Sequence, residues 1–192
     1  EAGRDKDAID AFWRTLPEEA LAKIRSVSMD LWKAYRSSTM EYVPDAESKI
    51  CLDRFHVAGY FGKAVNDVRK KEHRMLMAEG DETLKGTKYE WLRTSAHIDN
   101  RSRRNFMEIA NIALKTSRAW ALKEIAHGLW NYVYIGVAEK EWNILLSRMS
   151  RSRLEPMKKL AKSLREHLWM IINAIKLQAN NGNAESNNSR IQ

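Results

Sequence analysis

Ser48-Lys49-Ile50-Cys51-Leu52-Asp53 is a short apolar run that stops at an acid, and Ile24-Arg25-Ser26-Val27-Ser28-Met29-Asp30 follows the same plan. Short, partly β-branched runs bounded by polar residues read as strands. Between them, Leu31 to Met40 has helical spacing and closes at Pro44-Asp45. Strand, helix and strand in that order predict a parallel pair joined by a right-handed crossover. Such a pair is not stable alone: it needs helices on its faces and further strands at its edges. Nothing else in the sequence reads as a strand. The missing neighbours are therefore expected upstream of Glu1 or from another chain. A first residue other than Met and an ending at Arg190-Ile191-Gln192 fit that expectation of a piece of a longer protein.

On either side of the strands the patterns are helical. Asp7 to Trp13 predicts a short helix, and Pro17-Glu18-Glu19 predicts the acidic first turn of another. After Asp53, a long helix is expected through Ala78. Its stripe is Val57, Tyr60, Phe61, Ala64, Val65, Val68, Met75 and Leu76, and Glu79-Gly80-Asp81 ends it. A shorter helix over Leu84 to Leu92 is followed by a break at Ile98-Asp99-Asn100. Three more stripes follow: Phe106, Ile109, Ala110 and Ala113; then Leu122, Ile125, Ala126, Leu129 and Val133; then Ala138, Trp142, Leu145, Leu146 and Met149. A last long helix is expected from Pro156, with Met157, Leu160, Ala161, Leu164, Leu168, Ile171, Ile172 and Ile175 inward. Asn180-Asn181-Gly182-Asn183 breaks it before a further helix over Ala184 to Gln192. The fold class is mostly α with a small parallel β component.

Composition narrows the functions. The 192 residues include 44% hydrophobic and 30% charged residues, and seven Trp sit largely on apolar stripes, which excludes general disorder. No run approaches the roughly 18–20 apolar residues of a membrane helix. One cysteine, Cys51, excludes an internal disulfide framework and a cysteine zinc cluster. With no signal peptide, the expected location is cytoplasmic. The net charge of +8 is uneven: residues 1–53 carry eight Lys/Arg against eleven Asp/Glu, so the remainder holds +11. A basic remainder of that size suits a polyanion.

Asp30 and Asp53 each follow a predicted parallel strand, the edge at which open α/β sheets bind ligands. Two carboxylates there suit a hard divalent cation; the structural alternative is that each caps the helix after it. His56 follows Asp53 by three residues, a weak signal as a ligand pair. His73 lies in a charged run and is expected to be exposed. His97, His127 and His167 are isolated, and Cys51 reads as core. No glycine-rich phosphate loop and no Ser-His-Asp spacing is present.

Five stretches together resemble transposases of the ISL-three group of bacterial insertion sequences. They are Val27-Ser28-Met29-Asp30-Leu31-Trp32 with Tyr35; Asp53-Arg54-Phe55-His56-Val57; Leu84-Lys85-Gly86-Thr87-Lys88-Tyr89; Ala119-Trp120-Ala121-Leu122-Lys123-Glu124; and Asn181-Gly182-Asn183-Ala184-Glu185-Ser186-Asn187-Asn188-Ser189-Arg190-Ile191. They occur in the family's order and span nearly the whole chain. The resemblance implies a DDE-type, ribonuclease-H-like core with two Asp and one Glu holding two Mg²⁺ or Mn²⁺ ions for DNA cleavage and strand transfer. On that pattern Asp30 is the second catalytic Asp and Glu185 the catalytic Glu, both metal ligands. Asp53 and His56 form a supporting acid-x-x-His pair; the alternative makes Asp53 the second catalytic Asp. The first catalytic Asp is expected upstream of residue 1, so the chain alone is expected to be inactive. Ser186 stands where a Gly is usual after the Glu.

The resemblance also implies domains: a partial ribonuclease-H-like core over 1–56, a helical insertion over 57–179, and the start of the catalytic-Glu helix over 180–192. The implied partner is double-stranded DNA, both transposon ends and target, in the bacterial nucleoid, with a homodimer admitted and no membrane. Candidate phosphate contacts are Arg69, Lys70, Lys71 and Arg74; Arg101, Arg103 and Arg104; and Arg148, Arg151, Arg153, Lys158, Lys159 and Lys162. Two other readings stand beside this one: a non-enzymatic helical DNA-binding or dimerisation module left from a decayed transposase, and a different hydrolase using Asp53 and His56.

Overall fold

In the computed structural model, which describes residues 6–98 and 100–179 with the side chains of residues 100 and 101 excepted, the two expected strands pair in parallel. They are β1 (Val27–Met29) and β2 (Ile50–Leu52), with Val27 opposite Ile50, Ser28 opposite Cys51 and Met29 opposite Leu52. Both are shorter than expected. Ile24 closes the preceding helix by donating its N–H to Leu21 O, and Ser48 and Lys49 lie in a helical turn instead of the strand. The Cα atoms divide the chain into two compact units.

The described part of the first unit covers 6–56, 133–135 and 167–179. It contains α1 (Lys6–Arg14), α2 (Glu18–Lys23), β1, α3 (Lys33–Tyr42), α4 (Ala46–Lys49), β2 and the late helix α11 (Leu168–Lys176). The crossover runs through α3 and α4, turning at Pro44 and Asp45, whose φ of 54° is left-handed. Ile50, Cys51 and Leu52 are fully buried, as a strand covered on both faces should be. The α11 helix packs on β2 and turns Met170, Ile171, Ala174 and Ile175 inward, the i, i+1, i+4, i+5 pattern of an apolar face. Its Asn173 amide donates to Glu47 O (2.7 Å) and Ile50 O (2.9 Å), pairing carbonyls where α4 passes into β2. On the other side of the crossover α1 packs on α3, with Ile9 and Trp13 buried.

The second unit covers 57–132 and 136–166 and is wholly helical. It holds most of α5 (Arg54–Ala78), α6 (Lys88–Leu92), a 3-10 turn (Ser95–His97), α7 (Asn100–Ile112), α8 (Leu114–Leu129), most of α9 (Ile135–Arg151) and α10 (Glu155–Glu166). The α5 helix stops at a left-handed glycine: Gly80 has φ 82°, and Asp81 N–H donates back to Leu76 O at 2.8 Å. The α9 stripe is buried as expected, from Ala138 to Met149.

Other expectations are corrected. The last long helix is two, broken at His167 between α10 and α11. Residues 84–87 are turns, so α6 is only its second half. Met75 and Ile125 are exposed, and Val133 is 84% exposed, so none is core. Asp99 and the expected helix over 184–192 lie outside the described residues.

Candidate active-site edge

Asp30 and Asp53 are each one residue beyond the last paired position, Met29 opposite Leu52. Asp53 N–H donates to Met29 O at 2.9 Å, extending the ladder. The two acids therefore stand side by side at the C-terminal edge of the sheet, on strands about 4.8 Å apart. Each carboxylate is half-buried and folds back on its own loop. Asp30 Oδ1 accepts the Trp32 N–H at 2.9 Å, and Asp53 Oδ1 accepts the Phe55 N–H at 2.8 Å. For Asp53 this bond caps the start of α5. His56 is exposed on the first turn of that helix, its ring edge against Phe55 with centroids 6.0 Å apart.

This donor set is all oxygen at the strand edge, which fits Mg²⁺ or Mn²⁺ and not a soft metal. Two carboxylates are not a complete site. Among the described residues no group of three or more His, Cys, Asp or Glu could hold a metal ion. Glu185, the third expected ligand, lies outside the described residues. Cys51, one strand position inside the edge, is fully buried, and burial pushes its thiol pKa up to about 11. It is a core residue with no thiolate to offer.

The basic candidates divide. Arg69 is buried: it donates through Nη1 to Leu84 O (3.3 Å) and through Nε to Asn66 Oδ1 (3.1 Å), and so ties α5 to the following turn. It is removed from the phosphate-contact set. Lys70, Lys71, Arg74, Arg103, Arg104, Arg148, Arg151, Arg153, Lys158, Lys159 and Lys162 are exposed, and the Arg101 side chain lies outside the described residues. Lys158 is paired with Glu155 at 2.7 Å. That hydrogen bond, with Lys159 and Lys71 nearby, holds the Glu155 carboxyl below its ordinary range. A basic cluster of α5 and α10 thus surrounds one acid. His73 is half-buried with Nδ1 shielded, against the expectation of an exposed ring.

Three polar groups to which the sequence assigns no role are built into the second unit. Glu72 is buried and accepts from Lys115 N–H (2.9 Å), Thr116 N–H (2.7 Å) and Thr116 Oγ1 (2.6 Å), so α5 caps the start of α8. Lys123 donates to Leu92 O and Arg93 O, and Glu124 accepts the Ser95 N–H at 2.7 Å. Helical arithmetic could have found two of them, and the burial of Arg69 as well. Steps of four from Ala64 through Val68 reach Glu72, one from Ala119 reaches Lys123, and steps from Phe61 through Val65 reach Arg69, each on an apolar face. Glu124 gives no such signal.

Comparison with known proteins places these residues in context. The protein family described as Transposase, of the DDE ISL-three type, matches residues 1–192. The transposase for insertion sequence element IS1001 of Bordetella parapertussis is 24% identical over 193 residues, covering 99% of this chain and 47% of that protein. The chain therefore spans about half the length of the curated relative it matches. No solved structure matches. A match over the full chain does not favour the reading of a bare helical module.

Proposed function

The chain belongs to the ISL-three family of DDE-type transposases, and on that premise we propose that the edge formed by Asp30 and Asp53 is part of a ribonuclease-H-like active site for DNA strand cleavage and strand transfer. The observation that carries the reading is the placement of two carboxylates, from strands 23 positions apart in register, side by side at one sheet edge. Open parallel sheets bind ligands at this edge. Asp30 is the second catalytic Asp and a metal ligand, and Glu185 is the third acid. Asp53 and His56 support the edge, Asp53 by fixing the start of α5. The chemistry that a divalent ion pair supplies when bound is activation of the attacking oxygen and stabilisation of the leaving one. Residues within 57–179 form the helical insertion, with its end at α10 or α11. Its exposed Lys and Arg neutralise DNA phosphates.

The test uses the whole transposase that contains this chain, with Mn²⁺-supported cleavage of duplex DNA as the readout. Asp30→Asn and Glu185→Gln each lower the cleavage rate by more than about a hundredfold. Asp53→Asn and His56→Ala lower it about ten- to a hundredfold, the usual cost of a group that orients a ligand. A larger loss at Asp53 than at Asp30 exchanges their roles. Full activity in Asp30→Asn and in Asp53→Asn removes the edge from the active site.

A further inference from the structure

Within the second unit α6 and α7 frame a cavity of about 110 Å³ lined by Glu90, Arg93, Ile98, Ser102, Asn105 and Phe106. That is well below the roughly 300–1,000 Å³ of pockets for drug-sized ligands, so it admits only one small group. Ile98 and Phe106 are buried and give it an apolar wall. Glu90 Oε2 is shielded from solvent and accepts no hydrogen bond from the described residues. Buried acceptors in folded proteins are nearly always paired, so this oxygen marks the place of a missing donor.

The walls are rigidly held. Trp120 Nε1 donates to Arg93 O at 3.2 Å, and Lys123 donates to Leu92 O at 3.2 Å and to Arg93 O at 2.5 Å. Glu124 takes the Ser95 N–H. Phe106 packs against Trp91 and Trp120, with centroids 4.9 and 5.0 Å away. From the other end, Thr87 Oγ1 accepts Trp91 Nε1 at 3.2 Å and donates to Leu84 O at 2.9 Å. Two of the transposase-like stretches, 84–89 and 119–124, are thus occupied in fixing this cavity, and the strand-edge chemistry uses neither.

The surrounding charge selects the occupant. A buried carboxylate oxygen suits either a Lys or Arg side chain or a nucleobase with N–H donors. Arg93, exposed at the rim, and Arg103 and Arg104, exposed on α7, repel an incoming cation and attract a phosphate. Among the bases, guanine alone presents two adjacent N–H donors on its pairing edge, N1–H and N2–H, which match one carboxylate. Enzymes that take a base out of the stack read it by that edge and by apolar flanking. We propose that this cavity receives a single unpaired guanine of the DNA, with Glu90 accepting from its pairing edge, Phe106 and Ile98 flanking the ring, and Arg93 at the adjoining phosphate. The proposal rests on DNA as the partner.

The experiment measures affinity of the chain for three probes of otherwise identical sequence: an intact duplex, a duplex with one bulged dG, and one with a bulged abasic site. The chain prefers the dG bulge over the abasic bulge by about tenfold or more, within the range of a good bidentate base contact. Glu90→Gln removes that preference while keeping duplex affinity and melting temperature. Arg93→Ala, whose backbone carbonyl still anchors Trp120 and Lys123, weakens binding of both bulges alike. Equal affinity of the wild-type chain for the two bulges, or an undiminished preference in Glu90→Gln, overturns the proposal while leaving the DNA reading intact. Failure to bind the intact duplex overturns the DNA reading itself.

Discussion

Glu72 shows how one side chain can organise a helix junction. The α7 and α8 helices are separated only by Ala113, so the first N–H groups of α8 have little room for a local cap. Glu72 reaches them from α5 and takes three hydrogen bonds through its two oxygens. Glu72→Ala leaves those donors buried without a partner and costs about 2–3 kcal/mol, whereas Glu72→Gln, which keeps one acceptor oxygen, costs less. Urea unfolding followed by far-ultraviolet circular dichroism measures both, and an unchanged midpoint for Glu72→Ala contradicts the capping role. The charged run Arg69-Lys70-Lys71-Glu72-His73-Arg74 hides this, because by composition it is a solvated face. Residues 69 and 72 are nevertheless on the buried side, as the spacing from Phe61 and Ala64 requires. Asp30 and Asp53 were legible for the opposite reason: each follows a short apolar run, and that position alone puts it at the strand edge.

At the scale of elements, the strand–helix–strand unit and the breaks at Gly80 and Pro44 could be read because local chemistry enforces them. The break at His167 could not. Glu166-His167-Leu168 holds neither Gly nor Pro, and the apolar spacing continues across it. The α11 helix that follows packs on β2, and its Asn173 donates to Ile50 O, a contact made more than a hundred residues away in sequence. Another docking, α1 on α3, depends on charge. Lys6 donates to Asp10 (2.8 Å) and Glu41 (2.7 Å), and Ser38 donates to the buried Asp10 carboxylate. The bonds from Lys6 and Ser38 hold the Asp10 carboxyl below its ordinary range, and the bonds to Asp10 and Glu41 push Lys6 up. The depressed acid stabilises the docking above its unfolded value near 3.9, and that contribution is lost as pH falls through the lower folded value. The raised Lys6 contributes below about 10.4 and loses its contribution as pH rises through its higher folded value. Docking of α1 is therefore expected to hold between these limits and to loosen on acidification. Amide exchange of α1, referenced to the intrinsic exchange rate, rises below about pH 4; flat protection down to pH 2 contradicts this.

For the whole molecule the decisive quantity is the division of charge, −3 over the first 53 residues and +11 over the rest. A DNA-binding protein loses affinity with salt in proportion to the phosphates it neutralises, with a slope of about −0.9 per contact in the logarithms. The exposed basic residues are not equal in this respect. Lys158 is paired with Glu155, and Lys71 and Lys159 stand near the same acid, so each brings less uncompensated charge to a phosphate. Lys70 and Arg74 are exposed, one turn apart on α5, and Arg103 and Arg104 are exposed on α7. Replacing Lys70 and Arg74 together by Ala reduces the salt slope of duplex binding by about 2, with no change in melting temperature. Replacing Lys158 and Lys159 changes it by less, because Glu155 already compensates part of their charge and leaves less of it to neutralise phosphates. Arg69→Ala behaves differently from both: it lowers the melting temperature, since its guanidinium ties Leu84 O to α5. Affinities measured from about 50 to 300 mM salt separate the first two cases, and thermal unfolding identifies the third. Equal slopes for all variants and the wild type place the phosphate contacts elsewhere and leave the positive charge as an ordinary solvated surface.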